Sequence, residues 1–145
     1  MHVYYTYTEH HVSGGEPLSN EEWSDRADAH YEWSLKDVYV TCPNHTPYHS
    51  SAPVGSFVKG KWVEGTLAAK DEAFAVIVRY SSGDTFGSSY GHGTVACICT
   101  DGKSAAAAVS AIQNGQVPQG DTYAAWNGYF ERLEGVHCEH KLAFG

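Results

Sequence analysis

The sequence predicts an α+β domain: a mainly antiparallel sheet with two helices packed on one face. Three observations predict it. Residues 73–80 hold a continuous apolar run, Phe74-Ala75-Val76-Ile77-Val78, of the kind found in a strand buried on both faces. Two segments carry helix start signals, Ser19 with Glu22 and Thr100 with Asp101. The rest of the chain breaks at Gly, Pro and Asn into short tyrosine-, threonine- and valine-rich pieces, so strands dominate.

The elements follow in order. Residues 3–8 alternate in part and read as a strand, ending at His10, His11 and the turn Ser13-Gly14-Gly15. Ser19 and Glu22 form a capping box, and Leu18 with Trp23 a hydrophobic staple. Trp23, Ala27 and Tyr31, spaced by four, give that first helix its core side. Val38 and Val40 mark a short strand over residues 37–41, before an irregular stretch, 42–49, bent by Pro43 and Pro47. Residues 57–63 suit a small hairpin turning near Gly60, and residues 73–80 and 94–100 are the clearest strands. Asp101 or Thr100 caps the second helix. Ala105, Ala108, Val109 and Ile112 form its apolar stripe, and Asn114-Gly115 stops it. After a linker at 117–121, residues 123–144 supply one or two strands around Asn127-Gly128 and Glu134-Gly135. At 145 residues, with 42% hydrophobic and 13% aromatic residues, the whole chain 1–145 is expected to be one domain around an aromatic-rich core.

The formal charge of −8 opposes binding to a phosphate backbone, so nucleic acid is not the expected partner. No apolar run approaches the roughly 20 residues of a membrane span, and the N-terminus lacks a signal-peptide pattern. The expected location is therefore cytoplasmic, with the four cysteines reduced.

The expected working surface is the glycine- and serine-rich stretch from Tyr80 to Gly93, taken as a long loop between two strands. Its glycines let backbone approach a ligand, and successive N–H groups suit an anion. Ser82, Gly83, Asp84, Thr85 and Phe86 are the candidate ligand-binding residues here, joined by Trp126, Tyr129 and Arg132 from the aromatic segment further on. Gly87-Ser88-Ser89-Tyr90-Gly91 matches the nucleophile-elbow spacing, but that motif needs a strand-to-helix turn and here a strand follows. No phosphate-binding lysine motif follows the glycines. A different chemistry is suggested by Cys42, His45, Cys138 and His140, which could complete a four-ligand zinc site, although scattered histidines and buried thiols explain the same residues. No cofactor is otherwise expected.

The segment Tyr80-Ser81-Ser82-Gly83-Asp84-Thr85-Phe86-Gly87, followed by a strand, a helix and Trp126-x-Gly128-Tyr129-Phe130-Glu131, resembles a loose group of small uncharacterised bacteriophage proteins. The resemblance covers about the C-terminal half of the chain. It implies an accessory product acting in the host cytoplasm, and no catalytic residue comes with it. The function expected is thus a non-enzymatic protein that binds a host protein or sequesters a small anionic, nucleotide-like ligand. A zinc-dependent or zinc-stabilised module and a virion subunit are the alternatives, and homo-oligomerisation is left open.

Overall fold

A computed structural model describes residues 1–12, 27–44, 49–84, 87–118 and 131–145. The strands are β1 (His2–His11), β2 (Ala27–Tyr39), β3 (Ser50–Pro53), β4 (Gly55–Val58), β5 (Lys61–Glu64), β6 (Glu72–Asp84), β7 (Gly87–Cys99) and β8 (Glu131–Phe144). One helix, α1 (Gly102–Gln113), stands among them. The architecture among the described residues is therefore mostly β, and the expected two-helix α+β arrangement is corrected. Ser19, Glu22 and Trp23 lie outside the described residues, but Ala27 and Tyr31 belong to strand β2. The reason is periodicity. A spacing of four satisfies both a helix and a strand, whereas Trp33 and Leu35, buried between exposed Glu32, Ser34 and Lys36, satisfy only the strand.

The six-stranded sheet runs β3-β1-β2-β7-β6-β8, and β2 also pairs with β8. Strand β2 meets β7 in parallel through Ala27–His30 and β8 in parallel through Val38 and Tyr39. The pairings β2–β7–β6–β8–β2 thus close into a ring, with β1 and β3 extending from β2. Side chains from both sides fill it: Val3, Tyr5, Trp33, Leu35 and Val38 meet Ala75, Ile77, Val95 and Ile98. Each of the largest, such as Ile77 at 0% exposure, contributes about 1.5–3 kcal/mol of burial.

The other face of β6 and β7 carries Val76, Val78, Ala96, Cys97 and Cys99, covered by Ala105, Ala108 and Ile112 of α1. The β4–β5 hairpin, which turns at Lys59 and Gly60 with positive φ, adds Phe57 and Trp62 beside the helix. Asp101 caps α1, its carboxylate accepting from the Ser104 N–H at 2.7 Å and the Ser104 hydroxyl at 3.0 Å. The helix ends at Asn114, with Gly115 at φ +88°. Among the described residues no helix is long and apolar enough to cross a membrane.

Candidate functional site

The stretch expected as a loop from Tyr80 to Gly93 is mostly ladder. Strand β6 runs on to Asp84 and β7 starts at Gly87, with Ser82 opposite Ser89, Gly83 opposite Ser88 and Asp84 opposite Gly87. Most of the described backbone donors of this stretch are therefore held in strand pairing and not open as in the expected long loop. Arg132 on β8 faces Ser81, one residue from Ser82, so this cation and that hydroxyl lie on adjacent strands. Thr85, Phe86, Trp126 and Tyr129 lie outside the described residues.

The four proposed zinc ligands are divided. His45 lies outside the described residues. Cys42 is exposed beyond β2 and its sulfur contacts His49 Nε2 at 3.1 Å. Cys138 and His140 alternate along β8, where His140 stacks on Phe74 at 4.7 Å and lies 3.6 Å from Glu72. Among the described residues no group of three or more His, Cys, Asp or Glu side chains is placed to hold a metal ion.

A different cluster does converge, where β1, β2, β6 and β7 come together. His92 on β7 contacts the Glu9 carboxylate of β1 through Nδ1. Its ring is stacked between Tyr31 of β2, at 4.6 Å and 27°, and Tyr80 of β6, at 5.4 Å and 22°. An ionised carboxylate only accepts, so Nδ1 carries the proton toward Glu9. Nε2 then has no partner among the described residues, and the side chain keeps one-fifth of its surface exposed. Around it, His11 packs edge-on against Tyr31, and His30 stacks on Tyr90 at 5.3 Å. Arg79 donates from Nη2 to the Trp33 carbonyl at 3.2 Å, and the Gly91 N–H donates to Glu134 Oε2 at 3.3 Å.

Two glycines make this convergence possible. Gly91 has φ +86°, and a Cβ there would fall 2.0 Å from the Tyr31 carbonyl oxygen. At Gly93 a Cβ would fall 2.5 Å from the Trp33 ring. Their bare backbone lets β2 press onto β7 until Tyr31 reaches His92. The residues missed from sequence were Glu9 and Tyr31 as site members. Glu9 lies 83 positions from His92, and nothing local announces that pairing.

A separate cleft of about 300 Å³ opens at the start of α1, between Gly55, Ser56, Glu64, Thr66, Thr100 and Asp101. Asp101 is already engaged in the cap there.

Comparison of the chain with protein-family models, curated proteins and solved structures finds no match.

Proposed function

We propose that this chain is a non-enzymatic binding protein whose site is the His92 cluster, and that it takes a small ligand combining a flat ring with an anionic group. One observation carries the reading: an imidazole stacked on two tyrosines and held by a carboxylate, with Nε2 unpartnered among the described residues. A side chain fixed on both faces and at Nδ1 loses little entropy when a ligand meets Nε2, which is the preorganisation that binding rewards. The ring of Tyr90, two residues along β7, offers further flat surface, and Arg79 on β6 and Arg132 on β8 are the cations carried by these strands. This fits the accessory role that the resemblance to small bacteriophage proteins implies, with sequestration of a nucleotide-like anion as its concrete form.

Calorimetric titration with a panel of nucleoside monophosphates, cyclic nucleotides and aryl phosphates tests it. At least one should bind. His92→Ala and Tyr80→Ala should each weaken that affinity about tenfold or more, with an unchanged far-ultraviolet circular dichroism spectrum. Absence of binding across the panel at millimolar concentration refutes the anionic-ring reading.

The Glu9–His92 pair also favours a second reading, since a carboxylate orienting an imidazole is the arrangement of a general base. Turnover of a bound phosphate ester, lost in Glu9→Gln with binding retained, would select it over simple sequestration.

A further inference from the structure

Strand β8 uses one edge to pair with β6 from Glu131 to Leu142, while its other edge meets β2 only at Ala143 and Phe144. Along the rest of that second edge, alternate N–H and C=O groups have no partner among the described residues. Such a row is a template for another strand. The stretch without a strand partner among the described residues is long, contains no proline, and carries exposed Leu133 and Leu142, the latter 56% exposed.

We propose that this edge pairs antiparallel with the same edge of a second copy, centred on Cys138, joining two β7-β6-β8 sheets into one. Three features select a second copy. The first is charge. Although the chain carries −8, residues 134–142 hold Glu134 and Glu139 against Lys141, with His137 and His140 between, so two such strands meet with little repulsion. The second is register. Antiparallel pairing about Cys138 sets His137 opposite Glu139 twice, Gly135 opposite Lys141, and Glu134 opposite Leu142, with no like charges facing. It also stops short of Ala143, where β2 occupies the edge.

The third feature is an exposed, loosely paired carboxylate. Glu139 Oε1 lies 3.9 Å from His137 Nε2, beyond hydrogen-bond distance, and the two side chains keep 38% and 39% of their surface exposed. The second strand sets a further histidine beside that carboxylate, once for each copy.

Sedimentation equilibrium of the full chain should give a species of twice 15.8 kDa, and Glu139→Lys, which sets a lysine opposite His137, should weaken dimerisation about tenfold or more. Directly opposed residues of an antiparallel pair have Cα atoms about 4.5–5.5 Å apart, within disulfide range. Diamide, which takes two electrons and two protons from a thiol pair, should therefore link two chains of the Cys42→Ser variant through Cys138. That band should vanish in Cys42→Ser/Cys138→Ser. A monomer at all concentrations up to about 0.5 mM would overturn the proposal. So would a dimer that neither cross-links through Cys138 nor responds to Glu139→Lys. Neither outcome touches ligand binding at His92, which a monomer could perform equally.

Discussion

The close approach of β2 to β7 has a consequence that four glycine-to-alanine substitutions isolate. An added Cβ can cost through backbone strain at positive φ, through collision, through both or through neither, and the chain offers one example of each. Gly115 has φ +88° and nothing within 4 Å, so Gly115→Ala meets strain alone, about 1–2 kcal/mol. Gly93 has no such φ but would meet the Trp33 ring at 2.5, 2.7 and 2.8 Å. That ring is 2% exposed and stacked on Tyr7, so it has little room to yield, and overpacking costs about 1–3 kcal/mol. Gly91 combines φ +86° with a contact of 2.0 Å to a backbone oxygen, which moves only if β2 moves, so the two costs add to about 3 kcal/mol or more. Gly135 has nothing within 4 Å and no strained φ, and Gly135→Ala should lie within about 0.5 kcal/mol of wild type. Urea denaturation reads the order directly: with a slope near 2 kcal/mol/M, Gly91→Ala should lower the midpoint by about 1.5 M. If Gly91→Ala is no worse than Gly115→Ala, β2 does not press on β7 as described, and Tyr31 is not held against His92.

Two further predictions concern titration. The Ser104 backbone N–H, and then its hydroxyl, hold the Asp101 carboxyl below the ordinary aspartate value of 3.8. A carboxyl lowered on folding adds stability that is present above that value and is lost as pH falls through the lower folded one. The melting temperature of wild type should therefore fall more steeply than that of Asp101→Asn between about pH 4 and pH 2, and parallel curves would show that the cap contributes no charge effect. Among the thiols, the hydrogen bond to Cys99, and then burial, push Cys97 far up, while burial followed by the charges of Cys99 and Glu139 raises Cys138. Ellman's reagent on the folded protein near pH 8 should label Cys42 fast, Cys138 slowly, and Cys97 and Cys99 only after denaturation, a pattern that rapid reaction of all four would refute.

What could be read from the sequence was whatever one segment decides alone. The apolar run of β6, the hairpin at Gly60 and the second helix with its Asp101 cap and Gly115 stop all stand where local chemistry placed them. The failures came where a local signal had two solutions. Trp23, Ala27 and Tyr31 repeat at four, two strand periods and close to one helical turn of 3.6, and the alternation of Trp33 and Leu35 that resolves the ambiguity lay just beyond the segment read as helix. The glycines between Tyr80 and Gly93 carry the same ambiguity, since a residue without a Cβ serves a loop needing freedom or a strand needing clearance. In β7 it is clearance: Gly91 and Gly93 have β2 lying across them. Loop and close crossing differ only in what lies opposite, and here the opposite strand comes from about 60 residues earlier in the chain. The site inherits that property. His92 was visible as a polar residue among glycines, but Glu9, Tyr31 and Tyr80 become its partners only through pairing of four strands. A histidine in a glycine-rich stretch therefore acquires a definable chemistry only once the strand that the glycines admit has been placed.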